Sequence, residues 1–197
     1  MRRLIALIRG VTPAGKNRVP MEKLRETLHQ NGFPGARTWI QSGNVVLDTQ
    51  LSPGETAEAL RRLIRERIGP DLAVIVKTAE ELSAVLAGNP FPDLAPDRVF
   101  YTQGNGELDL DRAAALQSMD FGEERLAVTL RAAYLYIPGS AAGSRLSNNF
   151  LERRLGISLT TRNRNTLRKL IEMAGEELAG GGMRVHGGED DPGLTAG

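Results

Sequence analysis

The order of apolar runs in the first 77 residues constrains the fold more than any other feature of this sequence. Residues 4–8 are apolar at every position, which indicates a strand buried on both faces. Pro20 opens a helical pattern, two short strands flank a turn at 42–44, and a second helical pattern precedes an apolar run at 72–76. This is the β-α-β-β-α-β order of the ferredoxin-like split βαβ unit, in which we expect the two apolar runs to be neighbouring inner strands.

The second half of the chain echoes this order after a Pro-rich linker at residues 88–96. The predicted elements are a strand at 99–101, a helix at 109–118, strands at 126–130 and 134–137, a helix around 146–155 and a last helix from 167. The predicted fold class is therefore α+β, with two ferredoxin-like (split βαβ) subdomains in tandem, residues 1–77 and 78–179. The tail at 180–197 is Gly-rich and acidic, and we expect it to be disordered.

Two helix starts carry a recognisable signal. Ser52 with Glu55, and Thr78 with Glu81, match the capping box, in which a hydroxyl and a carboxylate three residues apart satisfy each other's backbone N–H groups. We expect a helix to begin directly after each of these two hydroxyl residues.

The absence of cysteine excludes disulfides, a thiol nucleophile and a thiolate metal site. The apolar share of 41% is sufficient for a core, and no apolar run has the length of a signal peptide or a membrane span. These features predict a cytoplasmic protein with no membrane association, and they leave its oligomeric state open.

The net charge of +1 conceals an uneven distribution. Residues 1–77 carry +6, residues 78–139 carry −6, and residues 140–179 carry +3. Such asymmetry is typical of an anion-binding side, and it equally fits segments that attract one another or face solvent.

The loop after the first strand resembles a phosphate-binding loop. Residues 10–16 fit GxxxxGK, but Asn17 stands where that pattern needs a magnesium-binding hydroxyl, and an antiparallel hairpin follows. A weaker prediction survives, in which Gly15, Lys16, Asn17 and Arg18 hold an anion. The alternative is a plain connection with solvated charges.

Two further polar clusters are candidates for the same site. Gln41, Ser42 and Asn44 lie at a hairpin tip, where such residues are also ordinary turn formers. The second cluster, residues 160–166, precedes the last helix and offers Arg side chains and free N–H groups to a phosphate or carboxylate. Its alternative role is capping, with Thr161 or Asn163 as the N-cap.

Familiar catalytic groups are missing from the pattern. His29 and His186 have no motif neighbours, so neither a catalytic triad nor a histidine metal site is predicted. The first-lobe strands at 4–9 and 45–48 lack the aromatic residues of a single-strand nucleic-acid platform. We predict no metal and no cofactor, and the sequence leaves open whether the protein is an enzyme.

Several motifs in order resemble a bacterial family called domain of unknown function 1697. The motifs that carry the resemblance are residues 5–10, 15–17, 21–25, 37–46, 89–92, 161–163 and 165–166. The resemblance implies two ferredoxin-like subdomains and no established activity, and it favours the three polar loops as one shared site. Two positions depart from the family pattern: Arg164 replaces the usual Trp, and Arg145 replaces a Lys. Loss of the Trp removes a stacking surface.

The leading hypothesis is a binding protein for an anionic ligand, either a phosphorylated or carboxylated small molecule or a nucleic-acid backbone. The alternatives are an enzyme acting on such a metabolite and a scaffolding protein without a ligand. The candidate ligand-binding residues are Arg9, Gly15, Lys16, Asn17, Arg18, Gln41, Ser42, Asn44, Arg145, Thr161, Arg162, Asn163 and Asn165. Six of them, Lys16, Asn17, Gln41, Asn44, Arg162 and Asn163, are predicted to converge on one cleft between the lobes.

Overall fold

The computed structural model describes residues 1–176, in which two four-stranded antiparallel sheets carry six helices. The elements of the first half are β1 (Arg2–Ile8), α1 (Met21–Gln30), β2 (Arg37–Trp39), β3 (Asn44–Thr49), α2 (Pro53–Arg67), β4 (Val74–Lys77) and α3 (Ala79–Ala87). Those of the second half are β5 (Val99–Gln103), α4 (Leu110–Gln117), β6 (Arg125–Val128), β7 (Ala133–Tyr136), α5 (Asn148–Leu155), β8 (Thr160–Asn163) and α6 (Arg164–Gly175). The expected tail at 180–197 lies outside the described residues.

The two sheets share one topology. Their strand orders are β2-β3-β1-β4 and β6-β7-β5-β8, so each sheet has its first strand inside and its last strand at an edge. This confirms the predicted α+β fold with two tandem ferredoxin-like lobes. One element was missed: residues 160–163 form β8, although their polar side chains give no apolar signal for a strand.

The expectation for the two apolar runs is half right. β1 and β4 are antiparallel neighbours, but β4 is an edge strand, so the prediction that both are inner strands is wrong. The edge is covered rather than exposed, because the Asn105 side chain of the second lobe accepts from Val76 N (2.9 Å) and donates to Val74 O (2.7 Å). A covered edge allows an apolar sequence there.

Both capping boxes are formed as predicted. Ser52 and Thr78 are the N-caps of α2 and α3, and each is paired reciprocally with the Glu three residues on. The helix α1 begins at Met21, one residue after the predicted start at Pro20, which is instead its N-cap and makes no side-chain cap hydrogen bond.

Three apolar clusters hold the molecule together. The first packs α1 and α2 against the outer face of the first sheet, and the third packs α4 and α5 against the second sheet. The middle cluster joins both sheets to α3 and α6, and it contains Ile5, Leu7, Tyr101 and Tyr134. The two lobes therefore share a core.

Candidate functional site

The loop after β1 folds back on itself. Thr12 N donates to Asn17 O (3.2 Å), and Asn17 Nδ2 donates to Gly10 O (3.3 Å). Asn17 thus shapes the loop, while Gly15 and Lys16 are exposed on it. A phosphate-binding loop leaves successive N–H groups free for the ligand, and here Thr12 N–H already bonds to a carbonyl. The weaker anion-binding prediction depends on the loop's exposed side chains.

The tip of the β2–β3 hairpin has a strained backbone. Ile40, a β-branched residue, has φ 49°, and Gly43 has φ 75°. A Cβ on Gly43 would lie 2.7 Å from Val11 Cγ2 and 2.9 Å from Ile8 Cβ, so only glycine fits against the end of β1. Gly43 O also accepts from Ile8 N at 2.7 Å. The tip is therefore fixed against β1.

Asn44 is fully buried and ties the tip together from below. Its Nδ2 donates to Trp39 O (3.1 Å) and to Ser42 Oγ (2.9 Å). Both the Asn44 and the Ser42 side chain therefore have partners within the protein. Gln41, in contrast, is exposed.

Arg162 joins the second lobe to this tip with all five of its N–H donors. Its Nε donates to Asn44 Oδ1 (2.6 Å), and its Nη2 donates to Ile8 O (3.0 Å) and Ser42 O (2.9 Å). Its Nη1 donates to Thr160 Oγ1 (2.7 Å) and to the Thr161 carbonyl (2.9 Å). None of these acceptors is a carboxylate. The guanidinium is a partly buried cross-link between the lobes, with no N–H left for a ligand.

Burial lowers the pKa of Arg162 to about 10. The group still carries its charge at neutral pH, since that value lies well above 7. An uncompensated positive charge therefore lies directly beneath the hairpin tip.

Arg9 and Thr161 are also satisfied within the protein. Arg9 Nε donates to Glu152 Oε1 (2.7 Å), its Nη2 donates to Asn149 Oδ1, and the ion pair raises the pKa of Arg9. Thr161 Oγ1 lies 2.5 Å from Asn148 Oδ1 and 2.7 Å from the Thr102 hydroxyl. The Arg9 contacts form a second polar connection between the lobes, whereas the Thr161 contacts lie within the second lobe.

The remaining candidates divide into a cap and two exposed side chains. Asn163 is the N-cap of α6 and accepts from Thr166 N at 2.8 Å, as the capping interpretation requires. Asn165 is exposed in the first turn of α6. Arg145 packs over the Phe121 ring and donates to Asp120 O, and no contact joins it to another candidate within residues 1–176.

An open groove of about 340 Å³ lies where the first two loops meet. Arg18 and Gln41 line it, together with Thr12, Glu22 and the start of α1 at Met21. Within residues 1–176 the Arg18 side chain makes no hydrogen bond or ion pair. Because Pro20 provides no side-chain cap, the first N–H groups of α1 have no side-chain partner there.

A model of a family described as "Protein of unknown function (DUF1697)" matches residues 1–134. The chain belongs to the DUF1697 family. The match ends before β8, so Arg162 lies outside the part of this DUF1697 protein that the model covers.

A solved structure has the same fold. This DUF1697 protein is similar to the conserved bacterial protein SP0830 from Streptococcus pneumoniae, with 23% identity and a TM-score of 0.68. The similarity covers 87% of this chain and 98% of that one. No match was found among curated proteins.

The geometry divides the predicted site residues of this DUF1697 protein into two groups. Arg18 and Gln41 share an open groove, whereas Asn44 and Arg162 meet behind it and satisfy each other. Sequence reasoning missed Thr12 and Glu22, which line the groove. The position of Glu22 in the first turn of α1 gave a signal, because residues at an uncapped helix start lie beside whatever binds there, whereas Thr12 in the loop after β1 gave none.

Two structural findings bear on ligand type. No group of His, Asp and Glu side chains that could hold a metal ion occurs among residues 1–176. No helix in the same range is long and apolar enough to cross a membrane.

Proposed function

We propose that this DUF1697 protein is a cytoplasmic binding protein for a small anionic molecule, held in the groove between Arg18 and Gln41. The carrying observation is that the Arg18 guanidinium, beside an uncapped helix start, has no partner among residues 1–176. A guanidinium binds carboxylate or phosphate oxygens through two parallel N–H groups, and the positive end of a helix dipole favours the same charge. The groove volume of about 340 Å³ suits a small molecule.

The surrounding charge supports the proposal. Residues 1–77 carry +6, and Lys16 stands exposed on the adjoining loop. Gln41 adds an exposed amide to the lining of the same groove. These groups would attract a phosphorylated or carboxylated metabolite and orient it.

In this proposal Arg162 and Asn44 are positioning residues. They hold the strained tip that carries Gln41, and the charge of Arg162 beneath it adds to the positive potential. Neither side chain contacts the ligand.

Glu22 allows a test in which removal of a charge should strengthen binding. Its carboxylate lines the same groove, so it opposes the binding of an anion. Calorimetric titration with inorganic phosphate, pyrophosphate, citrate and a sugar phosphate should find at least one that binds. Arg18→Ala should weaken that binding by about 1.5–3 kcal/mol, and Glu22→Gln should strengthen it.

Matched controls are available on exposed helical positions away from the groove. Arg62→Ala and Glu58→Gln, both on α2, make the same charge changes and should leave the affinity unchanged. Absence of binding by every anion, or equal effects of R18A and R62A, would refute the proposal. Binding only to an oligonucleotide would replace the small molecule by a nucleic-acid backbone.

A further inference from the structure

A second cleft, of about 400 Å³, lies between the lobes away from the Arg18 groove. Lys77 at the end of β4 and Glu81 of α3 line one part of it. The loops of the second sheet contribute Asn105, Glu107, Leu130 and Arg131. Its walls therefore carry two acidic and two basic side chains. None of these residues belongs to the three polar loops.

Backbone contacts hold the walls of this cleft in place. Leu108 N donates to Leu130 O at 2.8 Å, which fixes the β5–α4 loop against the β6–β7 turn. Glu107 and Arg131 are the next residues along these two segments, so they are held as neighbours. Asn105 anchors the same loop to β4 through Val74 O and Val76 N.

The four charged groups are not equivalent. Lys77 Nζ lies 3.7 Å from Glu81 Oε1, and the Lys77 side chain is only 13% exposed, so this pair is matched internally. The Arg131 and Glu107 side chains make no hydrogen bond or ion pair within residues 1–176. The cleft thus presents one available cation and one available anion side by side.

The cleft continues into an apolar groove of about 500 Å³ that shares Leu130 and Arg131 with it. Ala84 of α3, Gly88 at its C-cap and Leu110 of α4 also line this groove. Leu110 and Leu130 are 44% and 46% exposed, so two large apolar side chains on this groove are accessible to a ligand. The polar cleft and the apolar groove form one continuous amphiphilic surface.

We propose that this surface binds a zwitterionic amino acid with an apolar side chain, either free or as a short peptide. Arg131 receives the carboxylate, Glu107 receives the ammonium group, and the side chain lies along Leu130 in the apolar groove. The balanced charge favours a zwitterion over a simple anion, because two carboxylates line the cleft. The site is separate from the one in the proposed function.

The test is calorimetric titration of the full chain with leucine, phenylalanine and the dipeptide Leu-Leu, with alanine as the ligand lacking a large apolar side chain. We expect the apolar ligands to bind and alanine to bind at least about tenfold more weakly, since the groove contributes through buried apolar area. A preference for leucine over Leu-Leu identifies the free amino acid as the ligand, and the reverse preference identifies the peptide.

Variants and modified ligands together assign the two charged contacts. Arg131→Ala should weaken leucine binding about tenfold or more but leave the already weak binding of leucine amide, which lacks the carboxylate, unchanged. Glu107→Gln should likewise affect leucine but not N-acetyl-leucine. Leu130→Ser should weaken every apolar ligand, and R62A and R18A should change none of them.

All three altered side chains are exposed, so these variants should fold, which circular dichroism would verify. The proposal is overturned if no apolar amino acid or dipeptide binds up to about 10 mM. It is equally overturned if R131A weakens leucine and leucine amide by the same factor.

Discussion

The Arg162 guanidinium is unusual for a charged group that is so far buried, because its charge has no carboxylate partner among residues 1–176. Burial of an unpaired ion is strongly unfavourable, and its five hydrogen bonds to neutral oxygens offset much of that penalty. Removing the side chain would strand acceptors from both lobes, such as Ile8 O and Asn44 Oδ1. The residue therefore affects stability and loop position together.

We expect Arg162→Met to destabilise the fold by about 2–4 kcal/mol, because several buried acceptors lose their donor. Urea unfolding would measure this, with Arg164→Met, an exposed neighbour, as the control that should change little. Burial lowers the folded pKa of Arg162 to about 10, so the folded and unfolded states bind the same number of protons at this group below about pH 9, and the unfolded state binds more only above that pH. The R162M effect should therefore be constant from about pH 6 to 9, and a variation across that range would contradict the assigned charge state.

Gln103, unlike Arg162, is a buried polar side chain without hydrogen-bond partners among residues 1–176. It is fully buried at the end of β5, and neither its Oε1 nor its Nε2 has a partner within residues 1–176. An unsatisfied buried amide costs about 1–3 kcal/mol. Gln103→Met should therefore raise the unfolding midpoint, measured by thermal denaturation.

A matched substitution tests that reasoning. Gln117 Oε1 accepts from Val128 N at 2.7 Å, so Gln117→Met should lower the midpoint by removing a bond that supports the β6 edge. If both substitutions lower the midpoint, Gln103 has a stabilising role that its contacts do not reveal.

At the scale of elements, the β2–β3 hairpin tip contains two residues with positive φ, of which Ile40 is strained by its side chain and Gly43 must stay a glycine. Ile40 at φ 49° is strained and 51% exposed, so Ile40→Asn should stabilise the protein by about 1 kcal/mol. Gly43→Ala should destabilise it by more than about 2 kcal/mol, since the new Cβ meets Val11 and Ile8 below 3 Å. Chemical denaturation of both variants would measure this contrast, and a neutral G43A would mean that the tip can move away from β1.

The capping box at the start of α2 makes the stability of the fold depend on pH. Hydrogen bonds from the Ser52 hydroxyl and backbone N–H lower the pKa of Glu55. Because this pKa is lower in the folded state, the ionised carboxylate raises the free energy of unfolding above the unfolded-state pKa. That contribution is lost as the pH falls through the folded-state pKa. Ser52→Ala should therefore lower the thermal midpoint at neutral pH, with a difference that shrinks below about pH 4. A difference that stays constant down to pH about 2 would argue against the reciprocal cap.

At the scale of the whole molecule, the shared core governs how the chain unfolds. Ile5 and Leu7 of the first sheet pack in one cluster with Tyr101 and Tyr134 of the second, and Tyr134 Oη donates to Val85 O at 3.1 Å. Separating the lobes would expose both apolar sheet faces. The division into domains at residues 77 and 78 remains a prediction from the sequence.

We expect a single cooperative unfolding transition, because neither lobe can keep its inner face buried alone. Differential scanning calorimetry should give equal calorimetric and van't Hoff enthalpies. Tyr134→Phe removes the hydrogen bond from β7 to α3 within the core that both sheets share, and it should lower the midpoint of that one transition by several degrees, at about 1 kcal/mol. Two resolved transitions would show that the lobes unfold independently.

The sequence by itself determined the repeated strand-helix order and the helix starts. Apolar runs such as residues 4–8 and local pairs such as Ser52 with Glu55 act within a few residues, so their pattern is visible along the chain. That information was sufficient for the α+β class and the two ferredoxin-like lobes. It also identified Arg18 and Gln41 as polar groups worth considering together.

Only the tertiary structure decided which polar residues are available to a ligand. β8 gives no apolar signal in the sequence. It is held in place by pairing with β5 and by the hydrogen bond of Arg162 to Asn44, more than a hundred residues away, and neither contact is visible in the local pattern. Whether an arginine binds a ligand or carbonyls of its own chain depends on what surrounds it in space. Arg18 and Arg162 are both arginines in polar loops of the sequence, but in the described part of the chain the first has no side-chain partner and the second uses every donor.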